Sequence, residues 1–457
     1  YRCPAGFAPW EILGISRAFF GTCGRPRSPL DCGPYGRGLA PLGQYRTGAG
    51  LSRFRRVSRV APVRPLPAVA RLRFVGDNAI GRGGGIVAGQ DDLLYSGSMT
   101  PFPRPDDFHV HVRQGPALAA YVADLAAHFG RGLIMPNTLP PICSAAEVAR
   151  YREEILAAAR PVNPDFCPLM TFKITTLGAL LGNPELAPDV ISLTHAVKDL
   201  QAAGALAGKL YPAGVTTNSA DGVRDLQELF PLVAAMEQVG LVLCVHGEDP
   251  DAFCLDREAA FLPKLDRVVE AFPRLKIVLE HVSTARAVDW VQAQGDQVGA
   301  TVTVQHLLFT LDDMLGGHLK PHLFCKPLIK RPEDRSALQA AVLSASPKFF
   351  FGSDSAPHAK TAKECDCGSA GVYSAPVALP VLAAFFAERD RPELLADFVC
   401  RFGARFYGLA ENPGELRLVK RKWRVPAVMH AGPGLESGVV PLFAGQELDW
   451  AVEVSPC

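Results

Sequence analysis

The 457-residue chain has a formal net charge of +1, with 20% charged and 48% hydrophobic residues. That balance offers neither a nucleic-acid surface nor a membrane patch, and no uninterrupted apolar run reaches the ~18 residues needed to span a bilayer. One large domain of roughly 250 to 300 residues plus appendages is expected at this length, and the twelve cysteines, scattered without a framework in so large a chain, read as mostly reduced intracellular thiols.

Residues 1–98 stand apart. Fourteen arginines, no lysine and five acidic residues (Glu11, Asp31, Asp77, Asp91, Asp92) give them a net +9, so the remainder carries −8. They are rich in Gly and Pro, as in Gly81-Arg82-Gly83-Gly84-Gly85, and show no sustained period of 2 or 3.6. Such composition fits a disordered organelle transit peptide, for the chloroplast or else the mitochondrion. The first methionine is Met99, so upstream sequence translated in frame is the other reading, which would leave the protein in the cytoplasm. A nucleic-acid-binding arm is disfavoured, because nothing folded presents the arginines on one face.

From Met99 the chain alternates strands and helices. The first strand carries Asp106-Asp107-Phe108-His109-Val110-His111-Val112-Arg113; on a strand, residues two apart point the same way, so His109 and His111 can grip one ion. An amphipathic helix spans Leu118 to Phe129 and stops at Gly130. Gly132 to Met135 is a short buried strand ended by Pro136-Asn137, and a helix over Ala145 to Ala159 starts at Ser144, with Glu147 completing a capping box. Further strands are expected near Cys167 to Ile174, Leu206 to Leu210, Leu241 to Val245, Lys276 to Leu279, Ala300 to Val304 and Phe349 to Phe351. Helix-like segments between them include Gly222 to Gln238 and Ala285 to Ala293. Eight strands alternating with helices predict an α/β fold, a (β/α)8 TIM barrel over 99–411 whose chemistry sits at the C-terminal strand ends. Residues 412–457 form a tail: a basic cluster (Arg417, Lys420, Arg421, Lys422) around Trp423 reads as a solvated cap, and Val439 to Gly445 with Trp450 as short strands packing back on the barrel.

The polar residues at the strand ends are His109, His111, Asn137, Lys209, His246, His281 and Asp354. One histidine at a strand end is ordinarily structural; four histidines, a lysine and an aspartate at one mouth point to metal. Imidazole and carboxylate without thiolate suit Zn2+, and six ligands suit two ions better than one. Such a pair activates water and polarises a carbonyl, the chemistry of amide or ester hydrolysis. Lys209 is anomalous, since an ammonium has no lone pair to give; it is either a nearby structural cation or a group converted into an anion. Cys365 and Cys367 could suggest a zinc knuckle, but no second close cysteine pair completes one, and they read as loop residues.

The succession of Asp107 to Arg113, Met135-Pro136-Asn137, Lys209 to Ala213, Thr216 to Ser219, His246-Gly247-Glu248, Glu280 to Thr284 and Asp354 to His358 resembles the dihydroorotase family, of the shorter bacterial and plant type within the amidohydrolase superfamily. The likeness runs from about Pro103 to the tail near Trp450. It implies a hydrolase that interconverts L-dihydroorotate and N-carbamoyl-L-aspartate in pyrimidine (UMP) biosynthesis and works as a homodimer. It further implies that His109 and His111 bind one Zn2+ and His246 and His281 another, bridged by a hydroxide and by Lys209 carboxylated on its ε-nitrogen. Asp354 would ligate the first ion and shuttle the proton. Arg113, Asn137 and His358 would hold the substrate carboxylate, backbone groups at Ala370 would meet the ring, and Thr216 and Thr217 would lie on a loop closing over it. Lys326, Thr310 and Ser369 depart from the family pattern, where leucine, asparagine and cysteine are expected. None is a ligand position, so they bear on substrate geometry and not on reaction class. A hydantoinase or allantoinase would use the same metal cluster, but hydantoin has no carboxylate for Arg113 and Asn137. A catalytically dead scaffold would not need every ligand.

Overall fold

The computed structural model describes residues 98–182, 189–216, 218–219 and 222–454. The extension read over residues 1–98 therefore lies outside the described residues, apart from Ser98, and so does Thr217. Eight strands form one sheet in sequence order: β1 (Asp106–Val110), β2 (Arg131–Ile134), β3 (Cys167–Ile174), β4 (Ala205–Leu210), β5 (Val242–Val245), β6 (Ile277–Leu279), β7 (Val298–Val302) and β8 (Phe349–Phe351). Every neighbouring pair is parallel, as a barrel with helical crossovers requires. This is the expected fold class.

β8 meets β1 just beyond the strand ends. Asp354 N donates to His109 O at 2.8 Å and His111 N donates to Ser355 O at 3.0 Å. Beneath them the buried Asp107 carboxylate accepts the Ser353 N–H at 2.8 Å and its hydroxyl at 2.5 Å. Burial pushes the Asp107 carboxyl up to about 7. The seam of the barrel thus runs directly through two predicted ligands.

The strands alternate as their sequences predict. Ala207 on β4, and Val242 and Cys244 on β5, belong to an apolar cluster with Leu133, Val278 and Phe350. Lys209 and His246 are the next positions of the same parity on those two chain segments, so the face that is apolar lower down becomes polar at the mouth. Phe108 joins this cluster, stacked on Tyr407 with centroids 4.9 Å apart, and the Tyr407 hydroxyl lies 3.2 Å from Cys244 Sγ. Tyr407 comes from the helix Phe402–Tyr407, so a late helix fills the barrel below the polar residues.

The helices Leu118–His128, Ala145–Ala159 and Ala285–Ala293 match their predicted extents. Ser144 and Glu147 make the reciprocal capping box at the second of these. Three boundaries differ. The seventh strand is Val298–Val302, not Ala300 to Val304, because the Thr303 hydroxyl accepts His306 N–H at 3.1 Å and opens a short helix, Val304–Leu308. The predicted helix from Gly222 begins later, as a 3-10 turn Leu226–Leu229 followed by Phe230–Val239, because Asp225 caps the Gln227 N–H and Pro231 sits in the first turn. In the tail, the basic segment read as a cap is a strand, β9 (Glu415–Arg424), antiparallel to β10 (Glu447–Val454) and to Phe102–Pro103. Leu416 and Leu418 are buried on one face while the basic side chains occupy exposed positions. Residues 439–445 contribute only an isolated bridge, Met429 to Val439. Among the described residues no helix is long and apolar enough to cross a membrane, and eight cysteines are free thiols.

Candidate metal centre and active site

All the predicted strand-end residues sit at the C-terminal mouth. His109 is on β1 with His111 just beyond it, Asn137 follows β2, Lys209 is on β4, His246 follows β5, His281 follows β6 and Asp354 follows β8. All seven are buried. The ligand atoms of His109, His111 and Asp354 lie within 4.8 Å of one another. Asp354 Oδ1 is 3.2 Å from His111 Nε2 and 3.4 Å from His109 Nε2. No such group among the described residues includes the exposed Cys365 or Cys367. His246 Nδ1 faces His281 Nε2 at 3.2 Å.

Carboxylates behind the imidazoles fix which nitrogens carry lone pairs. Glu280 Oε2 is 2.8 Å from His109 Nδ1, so that nitrogen holds the proton and Nε2 presents its lone pair to the mouth. Glu248 Oε2 is 2.8 Å from His246 Nε2, leaving Nδ1 as the acceptor that faces His281. Burial pushes the Glu280 carboxyl up, but the neighbouring His109 and Lys209 and its hydrogen bonds outweigh this and hold it down at about 2. Thr301 completes the support: its hydroxyl donates to Glu280 Oε2 at 2.6 Å and accepts the His281 backbone N–H at 2.6 Å. The residue strings around His246 and His281 contain both glutamates, at His246-Gly247-Glu248 and Glu280-His281. Sequence reasoning gave them no role, since only the fold shows which histidine each one reaches.

Glu280→Gln keeps shape and size but replaces the proton-accepting oxygen with an amide. We expect metal affinity to fall ~10–100-fold, the usual cost of losing such a support. Metal titration followed by calorimetry reads this directly, and an unchanged affinity would show that His109 needs no such partner.

Lys209 is fully buried, and its Nζ has no hydrogen-bond partner. Its Nζ lies 5.2 Å from the Tyr211 ring centroid. Burial pushes the Lys209 amine below its ordinary range, against the Glu280 charge that favours ionisation. The same ammonium charge contributes to lowering His109, His111 and His281, each displaced chiefly by burial. An unpaired buried amine is costly, and the buried His109–His111–Asp354 group at the same mouth suits a metal ion.

Backbone strain gathers here too. Arg113, His281 and Asp354 have φ of 59°, 41° and 44°, a left-handed conformation that non-glycine residues hold only where the surroundings dictate it. Gly352 is needed at the seam, as a Cβ there would lie 2.9 Å from both His109 Cβ and Thr301 Cβ.

The pocket over the centre is lined by His111, Arg113, Asn137, Thr216, Lys326, Asp354, Ala356, Ala370 and Gly371. Five of the six residues assigned to substrate are thus placed at or beside it, the fifth being His358, whose Nε2 lies 3.0 Å from Arg113 Nη2 and 2.9 Å from Ala370 O. Burial, then the Arg113 charge, pushes His358 down to about 3, so its ring is neutral. Arg113 Nε also donates to Pro357 O at 3.0 Å. The loop bearing Thr216 is tied down through Asn218, which donates to Asn137 O at 2.9 Å and accepts from Lys173 Nζ at 2.8 Å. Of the departures from the family pattern, Lys326 lines the pocket. Thr310 caps the short helix Leu311–Leu315 through Asp313, and Ser369 N donates to Ala362 O at 2.8 Å.

Fold and site together define a barrel hydrolase with a buried His-His-Asp group suited to a metal ion at its mouth. Comparison with known proteins narrows the class. Residues 107–421 match the amidohydrolase family model. Over 355 residues the chain is 46% identical to a dihydroorotase of Stutzerimonas stutzeri, covering 77% of this chain and 97% of that one. Among solved structures, a Saccharomyces cerevisiae dihydroorotase in complex with 5-fluoroorotic acid superposes with a TM-score of 0.70 at 34% identity, over 78% of this chain and 99% of that chain. A Campylobacter jejuni dihydroorotase gives 0.69 at 36%, over 79% and 99%. The chain belongs to the amidohydrolase family and, within it, to the dihydroorotases, hydrolases that act on a cyclic amide.

Proposed function

We propose that this protein catalyses the reversible hydrolysis of L-dihydroorotate to N-carbamoyl-L-aspartate, the third step of de novo pyrimidine biosynthesis, with two Zn2+ per chain. The observation that supports this reading is the buried Lys209 amine, without a hydrogen-bond partner, on a barrel mouth that also brings together the His109–His111–Asp354 group and the His246–His281 pair. In the proposal His109 and His111 would hold one ion and His246 and His281 the other, and Lys209, its amine having taken up CO2 with loss of a proton, would supply carbamate oxygens as further donors. Imidazole and carboxylate donors suit zinc. When bound, the ions supply water activation near neutral pH and positive charge for a developing oxyanion.

The protein's own groups do the rest. In ring opening, the Asp354 carboxylate takes the proton of the attacking water and delivers it to the leaving ring nitrogen. Arg113, Asn137 and His358 hold the substrate carboxylate, with the guanidinium of Arg113 already oriented by Pro357 O. The Ala370 backbone would meet the ring, and Thr216 and Thr217 would serve as the hydroxyl residues of a segment closing over it. That a yeast relative was solved with 5-fluoroorotic acid, a pyrimidine carboxylic acid, supports the same substrate class. The barrel of 99–411 and the tail of 412–457 would work as a homodimer. Residues 1–98 would direct it to the plastid, or to the mitochondrion, if they serve as a transit peptide, and the protein stays in the cytoplasm if they do not.

The test follows the ring absorbance as purified protein opens L-dihydroorotate at slightly alkaline pH, with zinc counted in the same sample. Turnover with about two zinc per chain, lost on chelation and regained on adding metal, is expected. Bound metal with turnover of hydantoin or allantoin instead would overturn the substrate assignment.

A further inference from the structure

We propose that Lys363 is a positioning residue that holds the ring-binding backbone of the pocket in place; the inference rests on the functional reading above. Two separate segments bring main chain to the pocket, Phe324–Lys326 and Ala370–Gly371, with Lys326, Ala370 and Gly371 in its lining. They are joined directly by one hydrogen bond, Gly371 N to Phe324 O at 2.8 Å. Lys363 binds both. Its Nζ donates to Phe324 O at 2.9 Å and to Gly371 O at 2.5 Å.

The placement of this ammonium is not explained by stability. Lys363 is 4% exposed and no carboxylate pairs with it among the described residues. A buried cation without a counter-ion is costly, and its donors go to two main-chain carbonyls, in keeping with burial pushing its amine down to about 8. What it gains is geometry. Gly371 has φ +151°, and a Cβ there would lie 2.4 Å from Ala356 O, so this backbone runs against the pocket wall. The Ala370 carbonyl is engaged by His358 at 2.9 Å and the Gly371 carbonyl by Lys363. The successive carbonyls of Ala370 and Gly371 are thereby both engaged, by His358 and by a lysine that also reaches Phe324. Lys363 therefore acts on substrate through the backbone it holds, without touching the reacting atoms.

The experiment uses the full-length, zinc-loaded enzyme and compares Lys363→Met, Lys363→Gln and Lys363→Arg with the parent. Binding of 5-fluoroorotic acid is measured by calorimetry, together with KM and kcat for L-dihydroorotate, zinc content and Tm. The two neutral variants are expected to weaken 5-fluoroorotic acid binding and raise KM about tenfold, the scale of one charge-assisted hydrogen bond, with kcat within about threefold and zinc unchanged. Lys363→Arg, which keeps a cation with several donors, should restore most of the binding. A lysine that serves only the fold would lower Tm and leave KM and the dissociation constant where they were. That result overturns the inference, as does failure of both neutral variants to fold. A parent enzyme that neither binds 5-fluoroorotic acid nor opens dihydroorotate removes the functional reading itself, and the inference with it.

Discussion

Lys209→Ala should abolish turnover of dihydroorotate, lowering kcat/KM by ~10^3-fold or more, because in the proposed centre the several kcal/mol that two ions would contribute to the transition state would be lost with the group proposed to join them. The same variant should bind fewer than two zinc per chain. Lys209 is on β4, fully buried, with no hydrogen-bond partner on its amine, and its charge reaches His109, His111 and His281. Alanine removes the amine and leaves a void beside Cys244 and Tyr211, which lowers stability as well. Thermal unfolding of the metal-free protein separates the two effects. Two zinc retained with full activity in Lys209→Ala would show the lysine to be a bystander and would undo the binuclear reading.

Asp354→Asn is the second large effect. It is expected to cost ~10^2- to 10^4-fold in kcat, the range of a positioned acid-base group, with little change in zinc content. Asparagine is nearly isosteric and still offers an oxygen toward His109 and His111, where Oδ1 now lies 3.4 and 3.2 Å away. The backbone bond from residue 354 N to His109 O, which closes the barrel, is untouched. What disappears is the ability to take and return a proton. Steady-state rates in both directions, together with metal analysis, decide the point: a near-normal rate removes Asp354 from the proton path, whereas loss of zinc would make it chiefly a ligand.

Much of the site was legible in the chain because a parallel barrel has a simple rule. Side chains that follow the C-terminal ends of its strands converge, so locating eight strands was enough to bring His109, His111, Asn137, Lys209, His246, His281 and Asp354 to one mouth. Strand ends matter more than strand starts for that purpose. The error at β7, read two residues late, moved none of the predicted strand-end residues, since none of them comes from it. The tail shows the opposite case. Leu416 and Leu418 alternate with charged residues over a stretch too short and too basic to stand out, and β9 was read as a cap because its partners, Phe102–Pro103 and Glu447–Val454, are remote in sequence.

The sequence by itself determined the alternation of strands and helices, the capping at Ser144, the ligand types and the family likeness. Each of these is local: a period of 2 or 3.6, a cap, or a string of a few residues. Tertiary structure alone decided the second layer of the site. Glu280 reaches His109 from 171 positions away and so selects its tautomer. Thr301 links Glu280 to the His281 backbone, and Lys363 ties Phe324 to Gly371. Those contacts depend on the stagger and closure of the barrel, where Asp107 and Ser353 lock β8 to β1. A hydrogen bond is set by angles and tenths of an ångström between distant segments, and no local pattern in the chain encodes that.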